Sequence, residues 1–538
     1  VMDYPLLIRS MLERGRLVAA DQEIVSRDFR GVMRYTVREM YERVCQLAHA
    51  LDRLGIEPNE HIGSFAWNNH RHLELYFAVP CSQRVLHTIN IRLFAEQLVY
   101  IINHAEDRII FIDEDLLPLM ESIADKLPLV ERFIIMTDAQ EMPATTLKNA
   151  TLYEELIRGE MTEYAFPDFD EWTTALLGYT SATTGMPKGV EYSHRGLFLH
   201  CMMALVGELG VRESDVSMPI VPMFHVNAWG RPFADTWIGA KQVYPGSRPT
   251  AKDFCELIDH ERVTYSAGVP TVWMGILQHL KSNPGAYDVS SVRCLLSGGS
   301  ALPQSLVEAY EKELGIPMYQ GYGQTETSPI TFISYPKKKH QNLQGAERYR
   351  IRAKTGHIVP GLEMRLVDPD GNPVPYDGKS MGELLLRGPW VLRSYYKDPE
   401  KSREAFLNGW FRTGDIATMD SEGYLQVVDR TRDLIKSGGE WISSVDLENV
   451  VMGHPEVLEA AVIAVPHERW QERPIVCVVL RPEAVDRVSK EDILQYFEGR
   501  VAKWWIPDEV IFVSEIPKTS VGKFSKKTLR EQYQSGSL

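Results

Sequence analysis

Tyr179-Thr180-Ser181-Ala182-Thr183-Thr184-Gly185-Met186-Pro187-Lys188-Gly189, residues 179–189, follows an apolar segment of strand composition (175–179) and precedes another β-rich segment. Its composition suits a loop that wraps phosphate oxygens: small residues let backbone N–H groups approach an anion, the hydroxyls add donors and Lys188 adds charge. The Walker spacing G-x-x-x-x-G-K-[ST] is not met, and composition alone equally allows an ordinary Ser/Thr/Gly turn. Around this loop, from about residue 33, helix-period segments alternate with short β runs: 37–54 as helix, 61–67 as strand, 72–79 as helix, 108–112 as strand. That βαβα order predicts a parallel sheet with helices on both faces. A second pass starts at strand 175–179, continues with a helix capped by Ser193, running to Leu209 and stopped by Gly210, and adds strands at 263–267 and 293–297.

Past about residue 354 the texture changes to short strands separated by Pro/Gly/Asp turns, as in 362–367 followed by Asp368-Pro369-Asp370-Gly371. This predicts a β-rich subdomain, a distorted barrel. A charged segment, Asp429-Arg430-Thr431-Arg432-Asp433, leads into a final α+β unit with a helix from about Val445, strands at 460–465 and 475–480, a helix capped by Ser489 with Asp492 three residues on, and a strand at 509–513.

The 538 residues suggest about three or four folding units. With 44% hydrophobic residues the chain can bury a large core, and 58 basic against 73 acidic residues leave a net charge of −15. Nucleic acid is not an expected partner, because phosphate contacts need clustered Lys and Arg and the basic runs here (337–339, 526–527) are short. Residues 1–15 read as an amphipathic helix without a signal-peptide core. No run reaches the roughly 18 apolar residues of a bilayer span, so a cytoplasmic protein without integral membrane association is expected. Six scattered cysteines without C-x-x-C spacing fit reduced core thiols. His70 and His72, two apart on a helix, diverge around its axis and make a poor metal pair.

Four more motifs follow the loop in order. Gly321-Tyr322-Gly323-Gln324-Thr325-Glu326-Thr327 offers an aromatic face for a base and a carboxylate for a hard cation. Phe411-Arg412-Thr413-Gly414-Asp415 supplies an acid suited to a ribose diol. Lys436-Ser437-Gly438-Gly439-Glu440-Trp441 follows the charged linker, and Pro517-Lys518-Thr519-Ser520-Val521-Gly522-Lys523 lies near the C-terminus. Each alone reads as a turn; together, in this order, coincidence is improbable.

Over nearly its whole length the chain resembles the adenylate-forming superfamily of acyl-CoA synthetases, nonribosomal-peptide adenylation domains and luciferases. Within it, the resemblance is to bacterial medium- and long-chain fatty acyl-CoA synthetases, through Val221-Pro222-Met223-Phe224-His225-Val226-Asn227-Ala228-Trp229, residues 437–444 and Trp470-Gln471-Glu472-Arg473-Pro474. It implies an N-terminal domain over 1–431, a mobile C-terminal domain over 432–538 hinged near Arg432, and a two-step ligation using ATP, Mg²⁺ and coenzyme A. The acyl substrate is a carboxylic acid of the fatty type, and a homodimer is allowed. Other readings kept open are an acyl- or aryl-adenylate enzyme with a carrier-protein acceptor or non-fatty substrate, and a catalytically weak acyl or nucleotide sensor.

Carried over by motif, the resemblance makes Thr180, Ser181, Ala182, Thr183, Thr184, Gly185 and Lys188 the phosphate loop. Gly321, Tyr322, Gly323 and Gln324 form the adenine platform, Thr325 and Glu326 the phosphate and magnesium contacts, with Thr184 also at the metal. Asp415 becomes the ribose ligand, assisted by Arg430. Lys523 matches the lysine of the first half-reaction, while Lys436, Gly439 and Trp441 match residues that close over the adenylate. His225, Val226, Trp229, Gly298, Gly299 and Ser300 fall on the acyl side, Trp229 at a position that gates a fatty-acyl tunnel in similar enzymes. Gly323 stands where acetate-selective relatives place a pocket-shortening tryptophan, which implies room for a longer acid. Ala182 departs from the usual glycine; if that position needs positive φ, the methyl costs about 1 kcal/mol.

Overall fold

The computed structural model describes residues 1–181, 186–207, 209–438, 440–519 and 523–538. Helix Val37–Arg53 forms where its periodicity places it, because Thr36 and Glu39 close a capping box: the Thr36 N–H donates to Glu39 Oε2 at 2.7 Å and the Glu39 N–H to Thr36 Oγ1 at 3.3 Å. Its buried residues Met40, Val44, Leu47 and Leu51 recur at helical spacing and face the main core.

Two mixed sheets build the larger part of the molecule. In the first, Thr174–Tyr179, Val85–Thr88, His61–Phe65, Ile109–Asp113, Arg132–Met136 and Ala150–Leu152 run parallel, with Gly189–Ser193 and Tyr395–Tyr396 added antiparallel at one edge. In the second, Met318–Gly323, Cys294–Ser297, Tyr265–Gly268, Val216–Pro219, Lys241–Tyr244 and Glu23–Asp28 run parallel between antiparallel edges. A third sheet, wholly antiparallel, holds Glu363–Val367, Gly382–Arg387, Trp410–Met419, Phe406–Leu407 and Leu425–Arg430. Beyond it, Ile435–Ser437, Glu440–Ile442, Val457–His467, Gln471–Leu480 and Glu509–Phe512 form a separate sheet with its own core of Ile435, Leu447, Val462, Val476, Val478 and Phe497. This is the expected α/β class with a β-rich subdomain and a small α+β unit.

Four details differ from the sequence reading. Strand Thr174–Tyr179 does not open the second sheet; it returns to pair with Val85–Thr88 in the first, in register Leu86 with Leu176. Hairpin Glu23–Asp28/Gly31–Thr36, unread in the sequence, belongs to the second sheet, so chain order does not follow sheet order. Helix His194–Ala204 is capped by Ser193, which accepts from the Gly196 N–H at 3.0 Å, but it stops well before Leu209 because Gly207 takes φ +77°. The N-terminal helix is Arg9–Ala19 and not 1–15: the Leu6 N–H donates to Glu171 and the Ile8 N–H to His194, drawing this backbone into tertiary contacts. His70 and His72 are buried, His70 against Ser26 and His72 between Ser64 and the Trp67 carbonyl. All six cysteines are buried thiols. Among the described residues no helix is long and apolar enough to cross a membrane.

Candidate active site

A cavity of about 1120 Å³ opens beyond the carboxyl ends of parallel strands from both large sheets, where α/β folds place their ligands. Strand Met318–Gly323 delivers Gly321, Tyr322, Gly323 and Gln324; strand Thr174–Tyr179 leads into Thr180 and Ser181; strand Cys294–Ser297 leads to Gly299 and Ser300. The antiparallel sheet contributes Asp415 and Arg430, and the final unit contributes Lys523.

Asp415 and Arg430 stand directly opposite each other on paired strands, Arg430 Nε 2.8 Å from Asp415 Oδ1. On the other oxygen, Oδ2, the carboxylate accepts from the Tyr322 hydroxyl and from Gln324 Nε2 at 2.8 Å; Gln324 Nε2 also reaches the Thr413 carbonyl at 2.9 Å. Burial, then the Asp415 charge, pushes the Tyr322 phenol far above its usual range, so it stays a donor. A carboxylate oxygen can accept twice, so Oδ1 keeps capacity for one further hydroxyl.

The stem of the 180–188 loop is closed by two hydrogen bonds, Thr180 N–H to the Lys188 carbonyl at 2.9 Å and Lys188 N–H to Thr180 Oγ1 at 3.0 Å. Ala182, Thr183, Thr184 and Gly185 lie outside the described residues, as does Gly439. Lys188 Nζ donates to the Tyr395 hydroxyl at 3.2 Å, and that hydroxyl donates to Glu326 Oε1 at 2.8 Å. The turn carrying Thr325 and Glu326 is pinned from both sides, by Tyr192 donating to the Thr325 carbonyl and by the Leu392 N–H donating to the Glu326 carbonyl, each at 2.8 Å.

On the opposite side the wall is a segment with unusual backbone. Val226, Asn227, Ala228 and Trp229 have φ of +45°, +56°, +49° and +56°, and Gly230 continues at +72°. A left-handed turn of non-glycine residues costs roughly 1–2 kcal/mol per residue, so packing must hold it in place. The turn lays the Trp229 ring against Gly298, where an added Cβ would come within 2.7 Å of Cη2. Trp229, His225 and Val226 all line the cavity. Burial first, then Lys523 and Arg92, pull the His225 pKa down to about 3, so its imidazole is neutral. At Gly323 a Cβ would lie 1.8 Å from the Pro329 carbonyl oxygen, so backbone approach alone excludes a side chain.

Lys523 enters from the final unit. Its Cε lies 3.6 Å from where a Cβ on Gly299 would sit, an ordinary contact distance, so it is the φ of +84° at Gly299 that favours glycine there. Burial, then the neighbouring Arg430, lowers the Lys523 pKa to about 8. Lys436 and Trp441 are not among the residues lining this cavity: they face each other on the paired strands Ile435–Ser437 and Glu440–Ile442, Lys436 exposed and Trp441 packed towards Ile416, Val428 and Leu434. Arg432 lines the cavity. Tyr395, which couples Lys188 to Glu326, went unread; it sits in a two-residue edge strand paired with Gly189 and Val190, far away in sequence, and nothing local marks it.

The AMP-binding enzyme family model matches residues 17–396, and the AMP-binding enzyme C-terminal domain model matches 446–523. A long-chain-fatty-acid–CoA ligase of Thermus thermophilus is 45% identical, with 99% of this chain and 97% of that protein covered. A 3-methylmercaptopropionyl-CoA ligase of Ruegeria lacuscaerulensis is 42% identical, with 99% and 98% covered. The crystal structure of the anthranilate CoA ligase AuaEII in complex with anthranoyl-AMP superposes with a TM-score of 0.88 at 27% identity, covering all of this chain and 99% of the other.

Proposed function

Because the chain belongs to the AMP-binding enzyme family, we propose that it is an ATP-dependent acid–CoA ligase. It activates a medium- or long-chain carboxylic acid as the acyl-adenylate and passes the acyl group to coenzyme A, releasing AMP and pyrophosphate. One observation carries this reading: a single cavity joins the Asp415–Tyr322–Gln324–Arg430 network, the Lys188–Tyr395–Glu326 chain, the Trp229 wall and the cation of Lys523.

In this reading Asp415 accepts a ribose hydroxyl at Oδ1 while Tyr322 and Gln324 hold its other oxygen. Lys188 and the N–H groups of the loop cradle the phosphates. Glu326, whose Oε1 accepts from the Tyr395 hydroxyl, offers a hard oxygen beside Lys188, and this suits Mg²⁺, which one carboxylate would hold together with substrate phosphates and water, neutralising phosphate charge. A carboxylate and the α-phosphate are both anionic and repel until cations flank them. Lys523, positioned over Gly299 between the nucleotide and acyl sides, supplies one such charge. The thiol of coenzyme A then attacks the activated carbonyl and AMP leaves, with no enzyme nucleophile needed.

The test is a pyrophosphate-release screen over straight-chain acids from C4 to C16 and aromatic acids, with and without coenzyme A. Acid-dependent release with acyl-CoA formation is the expected result, highest for medium or long alkyl acids. Best activity with a short thioether acid or an aryl acid would move the substrate class, and no release with any acid would overturn the reading.

A further inference from the structure

Tyr395 touches two charged groups of the cavity at once. Its hydroxyl accepts from Lys188 Nζ at 3.2 Å and donates to Glu326 Oε1 at 2.8 Å, and the same ammonium lies 4.3 Å from the centre of its ring. The residue lines the main cavity and is 5% exposed. Burial, then the charge of Glu326, pushes the phenol far above its usual range, so the proton stays on the oxygen and is given to the carboxylate. Among the described residues Lys188 and Glu326 form no direct ion pair; the hydroxyl bridges them. The backbone makes this bridge rigid. Tyr395 pairs with Val190 and Tyr396 with Gly189, the two residues that follow Lys188, and the Tyr395 N–H donates to Ser402 Oγ at 2.9 Å. Just upstream, the Leu392 N–H donates to the Glu326 carbonyl at 2.8 Å, so one short segment fixes both the end of the phosphate loop and the turn that carries the carboxylate.

Resting on the acid–CoA ligase reading, we propose that Tyr395 is a positioning residue: its hydroxyl keeps Lys188 and Glu326 from neutralising each other, so that the ammonium stays available to phosphate oxygens and the carboxylate to Mg²⁺. Opposite charges in a half-enclosed site attract strongly. With the phenol oxygen removed, the lysine and the glutamate can close on each other, and an incoming cation and its phosphates must first part them. With the oxygen in place, each charge is held by a neutral group that costs little to share. A carboxylate has about four lone-pair sites, so the bond from Tyr395 orients Glu326 and still leaves it able to meet a cation. Holding both groups before the nucleotide arrives spares the ordering that a flexible pair would pay on binding.

The experiment measures ATP binding by titration calorimetry, without acid or coenzyme A, once in Mg²⁺ and once in EDTA. In the unaltered enzyme Mg²⁺ should tighten binding. Tyr395→Phe keeps the ring beside the ammonium and loses only the oxygen, and in it the Mg²⁺-dependent gain should shrink by about tenfold, the scale of one hydrogen bond to a charged group. In a Glu326→Gln background the same change should alter the gain by less than about twofold, because the phenol acts through the carboxylate. In steady state, the Mg²⁺ concentration for half-maximal pyrophosphate release should rise by about tenfold in Tyr395→Phe while the KM for the acid stays unchanged. If the unaltered enzyme gains nothing from Mg²⁺, if Tyr395→Phe keeps the whole gain or loses ATP affinity equally in Mg²⁺ and EDTA, or if its effect persists in full beside Glu326→Gln, the proposal is overturned while the ligase reading stands. If the unaltered enzyme binds no ATP under either condition, both fall.

Discussion

Lys523 brings a cation into a half-enclosed site that already holds Arg430, and the consequences for activity and stability have opposite signs. The ammonium form is present below its pKa of about 8 and lost above it. kcat/KM for ATP, which reports the free enzyme, should therefore fall as pH rises through about 8, and Lys523→Arg, always charged, should lose that decline. Stability runs the other way. The folded pKa lies below the ordinary 10.5, so enclosing the charge costs free energy at neutral pH, and this cost is relieved as pH rises from about 8 to 10.5. Lys523→Ala should abolish that gain in a pH series of melting temperatures. The same variant should slow acyl-adenylate formation by about 10²-fold or more, the scale of one preorganised charge contact, while sparing thioester formation from supplied acyl-adenylate. Equal damage to both half-reactions would remove Lys523 from its assigned role.

The left-handed turn 226–230 and the helix Ser444–Met452 show what an element adds to its residues. Trp229 lines the cavity on its acyl side, so Trp229→Ala should change chain-length preference more than the KM for ATP, each methylene being worth about 1 kcal/mol in an apolar pocket. An unchanged acid profile with impaired ATP use would place the ring elsewhere. In the helix, Asp446 has its pKa pushed up to about 6, by burial first and then by Asp429. Its ionised form is the disfavoured one, so this group's contribution to stability is greatest at acid pH and is lost as pH rises from about 3.8 to about 6. Asp446→Asn should raise the melting temperature at pH 7 and change it little at pH 4; a drop at pH 7 would mean that its carboxylate is stabilising. Elements with strong local signals were legible in sequence: Ser489 with Asp492 marked the start of helix Lys490–Phe497, and the apolar period marked helix Val37–Arg53, whose Thr36/Glu39 capping box the structure adds. What stayed hidden was non-local. Nothing near Thr174–Tyr179 encodes its pairing beside Val85–Thr88, and nothing in Val226-Asn227-Ala228-Trp229 announces positive φ, since tertiary packing imposes it on residues that disfavour it. Asp415 and Gln324 could be picked out by motif, but their shared hydrogen bond spans two sheets and only folding reveals it.

Across the whole molecule, the proposed ligation runs two reactions in one cavity, and a rotation about the segment 429–433 is the change we propose between them. Before Arg432, the Thr431 N–H donates to the Gly414 carbonyl at 3.0 Å, tying the chain to the antiparallel sheet. After it, Asp433 accepts from Arg530 Nη1 at 2.8 Å, tying the chain to the last helix. Arg432 thus lies between anchors on two different bodies. The contacts that would have to part include Ser444 donating to Asp429 Oδ2 from its N–H at 2.9 Å and its hydroxyl at 2.6 Å, the Ser443 hydroxyl donating to the Val428 carbonyl at 2.6 Å, and the packing of Trp441 against Ile416 and Val428. In the arrangement described, Lys523 lines the cavity and Lys436 is exposed outside it, which agrees with the role proposed for Lys523 in the first half-reaction. Turning the small unit about Arg432 would withdraw Lys523 and let the hairpin approach, for the thiol step. Proline at 432 fixes φ near −65° and restricts Thr431 as well, so it should stiffen this pivot. Arg432→Pro should therefore keep acid-dependent pyrophosphate release in a single turnover and lose thioester formation from supplied acyl-adenylate by about tenfold or more. That asymmetry is the opposite of the one expected for Lys523→Ala, so measuring both half-reactions in both variants separates a pivot from a general loss of fold. If Arg432→Pro slows the two half-reactions equally, the rotation axis lies elsewhere in the chain.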